Sequence, residues 1–472
     1  MKRIRNYGWL GLVLFGLCVS APAPAPAVEV NPDGEGQVLI LPLWTTTGGH
    51  STLVHLYPAQ MVRLRLLDAS GSVVLNGNLY TYSGVWTAGI GARSGGGSRL
   101  HPGANGCLLI ESEGGVVPAS APLDIDADYG SAEVIVMGTT DSGVSGTPGD
   151  EVRQLIADQD CDGLAARWNS GAWATDPDNG LAAEYPSGPP LAAADWSIIN
   201  VERGVLFDVP DTALVHYSDR TQHTTPGSEL PNLASGHDSG TDNAMTHSRN
   251  CSAGNCREDT WPTALDAMAA ALMTGWSRGD YAIDPNLGAS TDAVFHFPLV
   301  PYFTARQGAE PHPLSEPRIW MAVFDRLGQG QLPLICPGLI PPGETCNFSV
   351  WRAEEPTQLQ TLSFNTTDGG DPGVSSLLGI PDSYGPETWV GDQSAIDSLA
   401  TLGTFSIWFS EDLNGGATQD EYQELTSNES TRYFGAPVLP VVFQQFVNGT
   451  LQGEDGVPQR ANYSKAFAPT RR

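Results

Sequence analysis

Met61-Val62-Arg63-Leu64-Arg65-Leu66-Leu67 alternates apolar and basic side chains with a period of two. In an extended chain successive side chains point to opposite faces. Val62, Leu64 and Leu66 therefore fall on one side, and Arg63 and Arg65 on the other. The pattern predicts a half-buried β-strand, with its apolar face inward and its arginines in water. Asp68-Ala69-Ser70-Gly71 follows with turn chemistry, and β-rich sequence resumes over 72–82, so a hairpin is expected. Upstream, Gln37–Pro42 is a continuous apolar run. Downstream, 85–90, 106–111 and 132–137 are further short strand-like runs between glycine-rich turns. Several short strands of this kind predict a sandwich over residues 28–145.

The pattern changes in the middle of the chain, 146–290. Residues 151–156 and 164–168 have short helical patterns, and 196–201 and 204–209 return to strand. The stretch 218–259 is rich in Ser, Thr, Asn, Gly and His and is expected to be an exposed loop. Leu265, Met268, Ala269, Leu272 and Trp276 then fall at helical spacing. They predict a helix over 263–276, with Pro262 in its first turn and Asp259 or Thr260 as its cap. From 291 to 472 strand-like runs dominate again, with 393–402 as a candidate helix. The expected fold class is therefore mainly β, with one or more β-sandwich-like domains and a mixed, partly helical middle region. The last region would form a second sandwich or complete one with 28–145. Trp44, Trp86, Trp196, Trp320 and Trp408 all lie in strand-like runs, which assigns them to the core rather than to a sugar-stacking surface.

The first 27 residues have the order of a secretory leader. Lys2, Arg3 and Arg5 precede an apolar run over 9–19, and small residues follow. That run is too short for a bilayer span of about 20 residues. Ala21, Ala23 and Ala25 each precede a proline, which blocks cleavage. Ala27 precedes Val28, so the cut is placed after Ala27 and the protein is expected outside the cytoplasm. Cys18 follows Leu17 rather than a small residue, which disfavours lipidation. No later segment is apolar enough to span a membrane as a helix.

The chain carries 23 basic and 53 acidic residues, for a net charge of −30, which leader removal makes three units more negative. Lys2 and Lys465 are its only lysines. Such a surface repels nucleic acid and anionic membranes and favours solubility, salt tolerance or cation binding. Six cysteines follow the leader: Cys107, Cys161, Cys251, Cys256, Cys336 and Cys346. In an exported chain an even number predicts disulfides. Sequence proximity pairs Cys251 with Cys256 and Cys336 with Cys346, leaving Cys107 for Cys161.

Two acidic triplets could hold a cation. Asp158, Asp160 and Asp162, followed by Gly163, match the opening of a calcium loop, but Asn169 stands where a bidentate glutamate belongs. In a strand, Asp124, Asp126 and Asp128 would share one side. Calcium is thus the one cofactor the sequence raises, and solvated acidic faces are the simpler account of both triplets. His216, His223, His237 and His247 lie just before Cys251 and Cys256, at spacings that match no zinc motif. No serine elbow and no phosphate-binding glycine loop occur. His237-Asp238-Ser239-Gly240 lacks the glycine that precedes the acid in a serine-protease segment and the glycine that follows the segment.

Gly34-Glu35-Gly36-Gln37-Val38-Leu39-Ile40 resembles a group of uncharacterised exported proteins of proteobacteria. The resemblance continues at Asn78-Leu79-Tyr80, Val85-Trp86-Thr87-Ala88, Ile198-Ile199-Asn200-Val201, Phe297-Pro298 and Phe446-Val447-Asn448-Gly449, in the same order along the chain. Tyr57-Pro58 stands near where that group has an Asn-Thr pair. The resemblance implies a shared fold and export, and it assigns no catalytic residue. The expected role is structural or interaction-based, with a protein or glycan partner at the cell surface or beyond. A carbohydrate-binding or glycoside-cleaving protein and a calcium-dependent module are the alternatives. N-terminal sequencing of protein purified from its host should begin at Val28.

Overall fold

The computed structural model describes residues 27–471, apart from 58–60, 83, 139–147, 174–190, 219–222, 235–245, 253–254, 307–311, 316, 326–349, 353–356, 365–373, 376, 382, 384–401, 410–422 and 453–457. The chain is mainly β, built from antiparallel sheets packed face to face in the manner of a sandwich, with few helices.

The strand Met61–Asp68 lies inside an eight-stranded sheet. The spatial order is Glu29–Asn31, Thr212–Val215, Val38–Thr45, Tyr129–Gly138, Met61–Asp68, Val73–Thr81, Gly106–Ser112 and Gly115–Pro118. The expected hairpin is present: Arg63 pairs with Asn78 and Leu66 with Leu75. Its turn is held by Asp68, whose carboxylate accepts from the backbone of Ser70 and Ser72, and Gly71 takes the left-handed conformation at φ 93°. A second sheet has six strands, Leu123–Ile125, Ser98–His101, Trp86–Ala92, Ser51–Tyr57, Ala193–Asn200 and Val205–Val209.

The last third of the chain adds two more sheets. One is made of Leu359–Ser363, Ala289–His296, Leu439–Gln452 and Pro458–Phe467. The other is made of Val350–Arg352, Arg318–Asp325, Leu402–Trp408, Trp276–Ala282 and Thr470–Arg471. The four-stranded sheet is apolar on both faces. Val294, Leu359, Val441 and Phe443 join Leu41, Leu64, Trp86 and Phe207 in one core. On its reverse side, Phe295 and Val442 pack with Phe405 and Ile407 of the five-stranded sheet. Successive residues of its strands thus feed two different cores, as a period of two requires.

Three exposed sheet edges are closed by single residues rather than by another strand. Ser464 accepts from the Leu206 N–H (3.1 Å) and donates to its carbonyl (2.6 Å), and the Asn462 amide donates to the Arg203 carbonyl. These bonds join the edge of the six-stranded sheet to that of the four-stranded sheet. The Asn169 amide does the same for Val116, with two bonds of 2.8 Å. At Thr361 the Ser383 hydroxyl accepts from the N–H (3.1 Å), and the Ser383 backbone N–H donates to the carbonyl (3.0 Å). An unpaired edge is a template for foreign strands, and a side chain that mimics a neighbouring strand removes the template.

The outer face of the eight-stranded sheet is covered, which corrects the half-buried expectation. Helices α1 (Pro148–Ala157) and α2 (Cys161–Asn169) lie over Met61, Tyr80, Leu109 and Met137. Helix α3 (Ala264–Leu272) and the short α4 (Val300–Ala305) lie over Val38, Ile40 and Ile135. Arg63 and Arg65 are therefore buried, at 0% and 5% exposure. Arg65 donates to Glu133 (2.8 Å) and to the Tyr302 hydroxyl (2.7 Å), and Tyr302 donates to Glu133 (3.1 Å). Burial raises the Glu133 carboxyl above the usual range, and Arg65 draws it back. Burial also opposes the Arg65 charge, but Glu133 and Tyr302 outweigh it and hold the guanidinium protonated.

Helix α3 is shorter than expected, and its cap is Thr263, not Asp259 or Thr260. Thr263 accepts from Asp266 N (3.1 Å) and donates to its carboxylate, which also receives Arg306. The helix stops at Leu272 because Met273–Thr274 pairs with Ala436–Pro437, and Trp276 already belongs to a strand. Its residues 265–272 are all buried, which explains a sequence apolar but for Asp266, whose carboxylate is held by Thr263 and Arg306. Nor is 218–259 simply an exposed loop. Residues 223–234 pack against the eight-stranded sheet, and 247–252 with 255–260 form a hairpin. The candidate helix 393–402 lies outside the described residues, except for Leu402, which begins a strand. Trp44, Trp86 and Trp196 are core residues, as expected.

Replacing Glu133 with Leu should cost about 3–5 kcal/mol in urea unfolding, because it leaves Arg65 buried without its countercharge. Replacing both Arg65 with Met and Glu133 with Leu should cost markedly less than Glu133→Leu alone.

Candidate functional site

Cys107 ends up opposite Cys161 because α2 crosses the end of the strand Gly106–Ser112. The two are bonded, as are Cys251 and Cys256 across their hairpin. Both pairings match the sequence expectation; Cys336 and Cys346 lie outside the described residues. The Tyr82 hydroxyl sits 2.8 and 2.9 Å from the sulfurs of Cys107 and Cys161.

Beside this bridge runs a groove of about 560 Å³. One wall is the 101–106 turn, with His101 and Pro102. The other is the segment from Pro118 to Pro122, and the disulfide, Tyr82 and Asp162 form the base. The lining is short side chains, prolines and backbone, with no convergent set of charged groups. The groove opens where the six-stranded and eight-stranded sheets part at one end of the sandwich. Sequence patterning could have flagged it by the Pro118-Ala119-Ser120-Ala121-Pro122 run, whose prolines cannot continue a strand ladder.

The acidic triplets are not placed together. Asp160 is the N-cap of α2, accepting from Gly163 N at 2.8 Å, and Asp158 accepts from Gln154. Asp162 lines the groove. Asp124 is bonded to Arg99 (2.7 Å) and lies 3.2 Å from Arg93, while Asp126 takes Arg93 at 3.1 Å. The Arg99 and Arg93 guanidiniums hold the Asp124 carboxyl below its ordinary value. Asp128 is exposed, and its backbone carbonyl accepts from Thr46. Among the described residues no group of three His, Cys, Asp or Glu side chains is placed to hold a metal ion. The histidines are dispersed. His223 is buried against α2, His247 lies in the hairpin, His216 precedes the core residue Tyr217, and His237 is outside the described residues.

Three buried polar centres complete the picture. Asp292, fully buried, accepts from Ser363 (2.9 Å), from Ser375 and from Leu378 N (3.2 Å). It anchors the turn whose Leu377, Leu378 and Ile380 fill the main core. His296 is bonded to Gln358 at 2.7 Å, and burial pushes its imidazole down to about 3. Arg63 is the third. It donates to the carbonyls of Thr224, Thr225, Pro226, Ser228 and Leu230, and to Asn76, with no carboxylate among its hydrogen-bond partners. Burial pushes it down to about 9, so it stays charged at neutral pH.

No family model matches the chain, and no curated protein and no solved structure matches it. No helix among the described residues is long and apolar enough to cross a membrane.

The Cys107–Cys161 bridge spans 54 residues. Replacing both cysteines with Ala should lower stability by about 4 kcal/mol on the chain-entropy model, read from urea unfolding. It should also loosen α2, read as a change in Trp168 fluorescence.

Proposed function

We propose that this is an exported interaction protein, and that the groove beside Cys107–Cys161 takes an extended segment of a partner outside the cytoplasm. The observation that carries the reading is the groove itself. Pro102, Pro118 and Pro122 with the small residues between them make up most of its walls, and His101 and Asp162 are its only ionisable lining residues besides Tyr82. An extended peptide offers the matching chemistry: alternate backbone donors and acceptors, with small side chains between them.

Two further features support it. The buried charged and polar groups Arg65, Glu133, Asp292 and Arg63 are engaged in joining elements to one another. The sheet edges closed by Ser464, Asn169 and Ser383 are withdrawn from strand addition. The two disulfides and the leader pattern fit an oxidising compartment.

A photo-crosslinking side chain at Ala121, exposed on the groove wall, should give a discrete adduct in the native host. Ser120→Trp, which fills the groove from an exposed position, should abolish it without changing the melting temperature. No adduct at Ala121, or an adduct that survives Ser120→Trp, rejects the groove as the docking site. An adduct that releases sugar rather than peptide on hydrolysis makes the partner a glycan.

A further inference from the structure

The segment from His223 to Pro231 crosses the outer face of the eight-stranded sheet as a strap, and every strong tie it makes is polar. The five carbonyls on Arg63 hold its middle, and Asn78 and Asn76 donate to the carbonyls of Thr224 and Ser228 at 2.8 Å. At its start the His223 ring enters a box of aromatic side chains. Trp168, Trp173 and Tyr80 lie with ring centroids 4.6, 5.3 and 5.8 Å from it.

The hydrogen bonds of this box fix the protonation state that fits it. Trp168 is a donor only, and it donates to the Tyr80 oxygen at 3.0 Å. The Tyr80 oxygen lies 2.6 Å from His223 Nε2, and with Trp168 donating to that oxygen, a Tyr80 hydroxyl that donates to an unprotonated Nε2 satisfies both groups. The other nitrogen, Nδ1, is buried with no hydrogen-bond partner. Adding a proton at Nε2 takes away the acceptor of the Tyr80 hydroxyl, which must then turn away from the ring. It also buries a second cation close to Arg63, which has no carboxylate among its hydrogen-bond partners. Of the groups packed around the ring among the described residues, Arg63 and Tyr80 are the ones that titrate, and neither supplies a negative charge at neutral pH. Two carboxylates belong to the strap region among the described residues: Glu229, exposed within it, and Glu111, which lies against Gly227, where a Cβ would overlap it.

We infer that residues 223–231 form an acid-released strap: protonation of His223 expels its ring from the Tyr80–Trp168–Trp173 box, frees the carbonyls from Arg63 and uncovers that face of the sheet. This device is independent of the groove and of any partner docked there. Burial, reinforced by Arg63, holds the His223 imidazole down to about 3 from its ordinary 6.5. The closed strap is thus fully favoured above pH 6.5 and is progressively disfavoured as pH falls from 6.5 towards 3. Between pH 7 and pH 4.5 the opening equilibrium should rise by about two orders of magnitude, since each pH unit below 6.5 contributes about tenfold.

Hydrogen exchange on the full, disulfide-bonded chain reads this directly, after correction for the intrinsic pH dependence of exchange. Peptides holding the Ser228 and Leu230 amides should lose about a hundredfold in protection from pH 7 to 4.5, while the strand Tyr129–Gly138 keeps its own. His223→Gln can still accept from Tyr80 but cannot take up a proton, and it should leave the strap equally protected at both pH values. Loss of strap and strand protection together in the wild type, or strap opening undiminished in His223→Gln, overturns the inference. Should His223→Gln fail to fold, the wild-type contrast between strap and strand decides the matter alone.

Discussion

Everything in this fold depends on burying both faces of the strand Met61–Asp68. Its even-numbered positions Val62, Leu64 and Leu66 go into the main core, where apolar area removed from water supplies the driving force. Its odd-numbered arginines go under a cover of helices and loops. A guanidinium can be buried there only if its donors are matched. Glu133 with Tyr302, and the carbonyls of 224–230, provide the matching. The two solutions differ physically. Arg65 is neutralised by a true countercharge brought by a neighbouring strand and by α4. Arg63 is held by dipoles alone, so its loop must stay in place for the charge to be tolerated.

These two arginines also tie distant parts of the chain together. Tyr302 belongs to the last third of the sequence and Thr224–Leu230 to the middle, yet both close on one strand near the beginning. The shared core does the same with apolar side chains, since Phe443 packs on Phe207 with ring centroids 5.5 Å apart. Ser464 and Asn462 complete the join by linking two sheet edges that share no backbone ladder. The result is a stack of sheets in which the four-stranded layer serves two cores. Such a scaffold leaves its loops and ends, including the groove at Tyr82, as the places where a partner can be met.

The local features of the candidate site were partly legible. Cysteine spacing identified the two bridges seen among the described residues, Cys251–Cys256 from its short loop and Cys107–Cys161 by elimination. The hairpin at Asp68–Gly71 followed from turn chemistry that acts within a few residues. Of the groove only one wall had a sequence signal, the Pro118–Pro122 run; that 101–106 comes to lie opposite it is decided by the packing of the two sheets. His223 was visible only as one histidine among four in a polar stretch. Its enclosure by Trp168 and Trp173 depends on α2 folding back across Tyr80, which no periodicity in 218–259 encodes.

What the sequence determined by itself is what short-range physics controls: the β-rich class, the strand faces, the turn at Gly71, the acidic charge, the bridges and the apolar character of α3. Alternation along Met61–Leu67 identified two faces correctly, but it could not say what each face would meet. Whether an arginine lies in water or in a cage of carbonyls is decided by elements 70 to 240 residues away, through contacts whose entropy cost is met only once the whole chain closes. The tertiary structure alone therefore decided that both faces are interior, that the polar middle is partly a strap, and that the end of the chain finishes what its beginning starts.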